Sequence, residues 1–139
     1  MATVELRIPP QPVHVRTARL VGVAAARRTR LPDDLVDELR LAVGEACSRA
    51  VALHSQQGLD GPVVVRISDD EDRLVVEVID LGPPPGSIDG PVHELLRDSP
   101  GDPNVALAFL AGLVEDVEVT SQEGGTSVRL TWPLLARVR

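Results

Sequence analysis

The sequence predicts an α/β protein of the α+β kind, a two-layer sandwich with a mixed sheet of about five strands and three helices on one face. Two observations lead to this prediction. The apolar patterns follow the order β-α-α-β-β-α-β-β along 139 residues, a length that fits one domain spanning 1–139. The composition, 43% hydrophobic and 25% charged, is that of an ordinary globular domain. Because aromatic residues make up only 1%, the core must consist of Val, Leu, Ile and Ala.

The first half of the chain predicts one strand and two helices. Residues 3–8 alternate like a strand, and three prolines end it. Residues 13–30 are mostly Ala, Arg, Leu and Val, which favours a helix. Pro32 and two following acidic residues mark the start of a second helix that should run to about His54. Its apolar stripe has steps of three and four and consists of Leu35, Leu39, Ala42, Ala46, Ala50 and Leu53.

The second half predicts four strands and one helix. Residues 63–67 and 74–79 form a hairpin around an acidic turn, and because both runs are nearly all apolar, we expect both faces there to be at least partly covered. A helix at about 103–115 and two strands at 117–121 and 126–132 complete the pattern.

A long irregular segment, residues 80–103, separates the hairpin from the last helix. It holds six of the twelve prolines, and a single helical turn is expected at 91–98. Long loops inside compact domains are usually lids or binding loops.

The charges exclude several functions. The chain has no lysine, which rules out a Walker lysine or a Schiff base, and its single cysteine, Cys47, rules out an intramolecular disulfide and fits a reducing cytoplasm. A net charge of −7 argues against direct binding to nucleic acid or a membrane surface. Residues 1–30 nevertheless carry +5, which indicates either a docking face or a solvated helix face.

Four segments resemble one family. The segment 39–54 looks like the second-helix motif of ATPases with the Bergerat (GHKL) fold, and is most similar to the anti-sigma factor serine kinases of bacterial stress and sporulation switches. Glu45, Ala46, Ala50 and His54 match that motif, whereas Arg49 stands where the family has an Asn.

The glycine boxes match less well. Asp80 and Gly82 fit the first box, but Pro84 replaces its second glycine. The second box aligns with 104–107, which lacks both glycines, while residues 121–128 closely resemble the closing strand-turn-strand of the family. The lost glycines remove positions where backbone N–H groups approach phosphates, so ordinary Mg-ATP binding is not expected.

The resemblance implies roles for the matching residues. Glu45 holds the general-base position and is expected to be inactive. The Asn of the family coordinates Mg²⁺, and Arg49 cannot, because a guanidinium has no acceptor. Arg49 either pairs with Glu45 one turn earlier or binds a phosphate. Asp80 either reads an amine of a base or forms a turn, and Thr126 is either a phosphate contact or a strand former.

The candidate sites follow from this comparison. The resemblance places Arg19 where the first helix of the family carries an Arg that contacts sigma, with Arg16 as its neighbour, and it gives no metal ligand. The candidate nucleotide-binding residues are Arg49, Asp80, Gly82, Asn104, Val105, Ala106, Gly124, Gly125 and Thr126.

The leading hypothesis is a cytoplasmic anti-sigma factor, degenerate as a kinase, that sequesters a sigma factor. Its expected partners are that sigma factor, an antagonist with a sulfate-transporter-like (STAS) domain, and a second copy in a homodimer. One form of the hypothesis adds a signal bound without Mg²⁺, such as a nucleoside diphosphate or a nucleotide sugar, with Arg49 on its phosphates. The alternative is an active serine kinase that phosphorylates the STAS antagonist.

Overall fold

A computed structural model of the chain describes residues 2–70, 72–83, 102–122 and 124–134. The expected helical turn at 91–98 and most of the 80–103 segment lie outside these ranges. The described elements are three α-helices and five strands. They are β1 (Ala2–Ile8), α1 (Val15–Arg28), α2 (Asp33–Gln57), β2 (Val63–Asp69), β3 (Arg73–Asp80), α3 (Val105–Leu113), β4 (Asp116–Gln122) and β5 (Gly125–Pro133).

The helix boundaries follow from local signals. A 3-10 turn at Pro12–His14 precedes α1, so the helix begins later than the predicted residue 13. Pro32 is the N-cap of α2, and both acidic residues lie in its first turn, as the sequence predicted. The helix continues past His54 to Gln57 and ends at Gly58, whose left-handed φ of 66° suits glycine.

The sheet has the strand order β1-β2-β3-β5-β4. The fold class and the number of strands are confirmed. The prediction of a mixed sheet was wrong, because each neighbouring pair of strands is antiparallel. The connections explain this arrangement: after the crossover through α3, β4 runs parallel to β3 but lies two positions away from it in the sheet. The hairpin strand β5 then fills the gap and opposes both neighbours.

The core lies between one face of the sheet and the helices. Inward positions alternate along β2 and β3, and the buried set includes Val63, Val65, Ile67, Leu74, Val76 and Val78. The opposite face of these strands carries Val64, Arg66, Glu77 and Ile79, which are half-buried. The half-buried outer residues, together with Val75 on the same face at 7% exposure, agree with the expectation that both faces are at least partly covered.

The outer face carries a row of alternating charges. Cross-strand register aligns Glu5, Arg66, Glu77, Arg129 and Glu118 in one line across the five strands. Opposite charges at facing positions stabilise the register by a few tenths of a kcal/mol each, about 0.2 to 1. No helix of the described residues has the length and apolar character needed to cross a bilayer.

Candidate functional site

The candidate nucleotide-binding site lies between α2 and β3, and each of these elements supplies one charged side chain. Arg49 lies three residues after Ala46 and four before Leu53, so it points to the buried side of α2. Asp80 continues the inward row of β3 that contains Val76 and Val78. Because β3 packs under α2, both charged side chains reach the same buried place.

Arg49 and Asp80 form a fully buried ion pair. The Nη1 atom of Arg49 donates to Oδ2 of Asp80 at 2.6 Å, and both side chains have 0% exposure. The Nε atom of Arg49 donates to Oδ1 of Asn104 at 3.2 Å, whereas its Nη2 is buried without a hydrogen-bond partner in the described chain. The Arg49–Glu45 pair, considered from the i, i+4 spacing, does not form, because Arg49 turns inward to the sheet.

The second oxygen of Asp80 is also engaged. The backbone N–H of Gly82 donates to Asp80 Oδ1 at 2.8 Å, and the hydroxyl of Thr126 donates to the Gly82 carbonyl at 3.3 Å. A Cβ atom at Gly125 would collide with the Asp80 carbonyl oxygen, so only glycine fits there. Both oxygens of Asp80 therefore already accept a hydrogen bond, and an incoming base would have to compete with these contacts.

His54 holds the same strand end from the other side. Its Nε2 accepts the N–H of Leu81 at 3.0 Å. Since Nε2 is then the acceptor, the proton lies on Nδ1, which donates to the Gly61 carbonyl at 3.1 Å. The imidazole is fully buried and ties α2 to the loop at Gly61 and to the end of β3.

The residues before α3 were predicted to offer backbone donors to phosphates. In the structure these donors are already in use: the Asn104 N–H donates to the Asp102 carboxylate at 2.9 Å. The N–H groups of Val105 and Ala106 donate to the Asp102 and Pro103 carbonyls, each at 3.1 Å. The start of α3 thus closes on itself instead of presenting its N–H groups to a ligand.

The structure brings most of the candidate nucleotide-binding residues together. Arg49, Asp80 and Asn104 are joined by hydrogen bonds, with Gly82 and Thr126 beside them. Gly124 lies apart in the β4–β5 turn, with a φ of 77° and an exposed position.

The donor set does not fit a Mg²⁺-nucleotide. A guanidinium cannot ligate a cation, and Asp80, the carboxylate that contacts it among the described residues, already neutralises its charge. Within the described ranges, no group of three or more His, Cys, Asp and Glu side chains could hold a metal ion.

Glu45 is separate from this cluster. Its side chain is half-buried and has no hydrogen bond or ion pair within the described ranges.

A second candidate site is a groove between α1 and α2. It has a volume of about 300 Å³ and is lined by Arg16, Arg19, Leu20, Val23, Arg27 and Arg40. Leu20 is 59% exposed, which is unusual for a large apolar side chain beside four arginines. Of these, Arg16, Arg19 and Arg27 have no ion pair in the parts of the chain that the structure describes.

Sequence reasoning missed several of these residues. Leu20 was not singled out as an apolar contact of this surface, and Arg40 was not identified because it comes from another helix. The Arg49–Asp80 pair could have been found, since a charge on the apolar stripe of a helix needs a buried partner. His54 was expected only to pack or cap near the helix end.

Comparisons with known proteins show which family the chain is similar to. Residues 8–132 match the histidine kinase-like ATPase domain. The chain belongs to this family. Within the family it is similar to the serine-protein kinase RsbW of Bacillus pumilus, with 33% identity over 136 residues, covering 88% of this chain and 81% of that protein. RsbW of Bacillus subtilis is 37% identical over 79 residues, covering 57% of this chain and 49% of that protein.

Solved structures show the same fold. The structure of the RsbU and RsbW domains of Rv1364c from Mycobacterium tuberculosis matches with a TM-score of 0.68 at 17% identity. The match covers 94% of this chain and 32% of that longer chain. The catalytic domain of the histidine kinase ThkA matches with a TM-score of 0.51 at 12% identity. The resemblance predicted from the motifs is thus confirmed at the level of family and fold.

Proposed function

We propose that this chain is an anti-sigma protein of the RsbW type that captures a sigma factor in the α1–α2 groove and does not turn over Mg-ATP. The observation that carries the proposal is the groove itself. Three arginines that have no ion pair among the described residues surround an exposed leucine on a chain whose net charge is −7. Such a concentration of positive charge on an acidic protein favours an acidic partner segment with one apolar anchor.

The closed pocket supports the second half of the proposal. Mg-ATP would need a metal ligand at position 49, which an arginine does not provide, and its base would have to compete with Arg49 and the Gly82 N–H for Asp80. Separating this pair without replacing its contacts costs about 3 to 5 kcal/mol, which a nucleotide would have to supply from its own binding. The expected release factor is a STAS-domain antagonist, and the expected assembly is a homodimer.

Capture is tested with the purified sigma factors of the source organism on immobilised protein, read by biolayer interferometry at two salt concentrations. The proposal expects one sigma factor to bind with an affinity that falls as salt rises. Absence of binding by each of them would overturn it.

The pocket is tested by calorimetry on the wild type and on Arg49→Asn. The wild type is expected to show no heat with Mg-ATP, whereas Arg49→Asn restores a metal ligand, frees Asp80 and is expected to gain Mg²⁺-dependent binding. A panel of nucleoside diphosphates and nucleotide sugars in EDTA tests the metal-free signal. Binding there by the wild type, lost in Arg49→Ala, would replace the closed pocket by a ligand site in which the free Nη2 of Arg49 contacts the phosphates.

The second candidate function is a protein serine kinase, and the observation that favours it is the carboxylate of Glu45, which has no partner among the described residues. The test is incubation with labelled ATP, Mg²⁺ and a STAS-domain protein. Stoichiometric phosphoserine on that protein, lost in Glu45→Gln, would establish the kinase and contradict the absence of Mg-ATP turnover.

A further inference from the structure

Gly44 lies in the middle of α2, directly under the side chain of Arg19. A Cβ atom built at this position would lie 3.0 Å from Cδ of Arg19 and 3.4 Å from its Nη1. Glycine is unfavourable inside a helix, and α2 runs for 25 residues. The position therefore has little spare room, and the atoms nearest to it belong to an arginine of the groove.

The other helical glycines behave differently. A Cβ atom at Gly22 of α1 would meet Leu39 and Val43 of α2, so that glycine serves the packing of two helices in the core. A Cβ atom at Gly112 of α3 would meet nothing within 4 Å. Only Gly44 faces a charged side chain that is exposed to solvent.

The electrostatics of Cys47 support the same placement of Arg19. Burial raises the pKa of the Cys47 thiol to about 12, and the charge of Arg19 acts in the opposite direction. The guanidinium of an arginine on α1 thus lies close to the turn of α2 that contains Gly44 and Cys47.

We propose that Gly44 is a positioning residue, whose missing side chain lets Arg19 lie flat across α2 and present its guanidinium to a carboxylate of the bound partner. The inference rests on the proposed capture of a sigma factor in the groove. A guanidinium that is already held in place loses less conformational freedom on binding than a free arginine side chain, which strengthens the contact.

The test uses Gly44→Ala, Arg19→Ala and the double variant, with Gly112→Ala as the matched control. Gly44→Ala and Gly112→Ala each replace a helical glycine. Both variants are therefore expected to keep the fold and to have a melting temperature a few degrees higher than the wild type. Gly44→Ala is expected to weaken capture of the sigma factor about three- to tenfold, and Gly112→Ala to leave it unchanged. Gly44→Leu, with a longer side chain, is expected to weaken capture as much as Arg19→Ala.

The double variant decides whether Gly44 acts through Arg19. The proposal expects Gly44→Ala to have no effect once Arg19 is alanine. An equal loss of capture in both backgrounds would overturn it, because the methyl group would then act directly on the partner.

A measurement without partner separates this inference from the proposed function. The nuclear Overhauser effect between the Cδ protons of Arg19 and the Hα protons of Gly44 is expected in the wild-type protein alone. Its absence overturns the positioning role, whereas failure of capture with the effect present overturns only the proposed function.

Discussion

Two arginines of this chain occupy opposite environments. Arg49 is fully buried, and Asp80 and Asn104 accept its hydrogen bonds. Arg19 is exposed, lies on a glycine and has no ion pair in the described ranges. The comparison teaches that a charge enclosed with its counter-charge contributes to structure, whereas a charge left open and held in place is available for recognition.

The free energy of unfolding should be most sensitive to loss of one charge at the Arg49–Asp80 pair. Asp80→Ala leaves the Arg49 guanidinium buried without compensation and is expected to lower the free energy of unfolding by about 3 to 5 kcal/mol. Urea denaturation measures the change. In the double variant Arg49→Met/Asp80→Leu most of the loss should be recovered. Asp37→Ala, which removes an exposed partner of Arg40, is the control and should cost less than about 1 kcal/mol. Equal costs for Asp80→Ala and Asp37→Ala would remove the contrast between the two regions.

A charge reversal in the α1–α2 groove should change binding of the sigma factor but not the stability of the fold. Arg19→Glu is expected to abolish sigma capture while the free energy of unfolding changes by no more than about 0.5 kcal/mol. Arg73→Glu, a reversal of an exposed arginine outside the groove, controls for the change in net charge. Unchanged capture by Arg19→Glu would place the interface elsewhere.

A substitution at His54, which holds the end of β3, should have an effect of intermediate size on the free energy of unfolding. His54→Leu keeps a similar volume but leaves the Leu81 N–H and the Gly61 carbonyl without their partner. The expected loss in free energy of unfolding is about 1 to 3 kcal/mol, with sigma capture unchanged after correction for the folded fraction. Thermal unfolding followed by circular dichroism measures it, and a neutral effect would show that water replaces both contacts.

The smallest effect is expected at Arg16. Arg16→Ala should alter the free energy of unfolding by less than about 0.5 kcal/mol, because the side chain is exposed and has no ion pair among the described residues. The association rate should fall, and its dependence on salt should become shallower. Stopped-flow kinetics at several salt concentrations measures both, and an unchanged salt dependence would remove Arg16 from the docking surface.

The fold was predictable because its signals are local. The apolar stripe of α2, the proline and acidic residues at its start, and the alternation in β1 each act within a few residues. The sheet was harder, because the antiparallel arrangement depends on where β5 inserts after the α3 crossover. Local patterns carry no information about that insertion.

For the site, the sequence alone determined that position 49 holds a cation where the family has an Asn and that Asp80 ends an apolar strand. It also determined that Arg16 and Arg19 share a basic helix. Only the tertiary structure decided that Asp80, 31 residues away, and not Glu45, one turn away, neutralises Arg49. It likewise decided that Arg40 joins the α1 arginines and that Gly44 lies under Arg19. The physical reason is that a buried charge pairs with whichever counter-charge the packed elements enclose with it, and that choice depends on how helix and sheet meet.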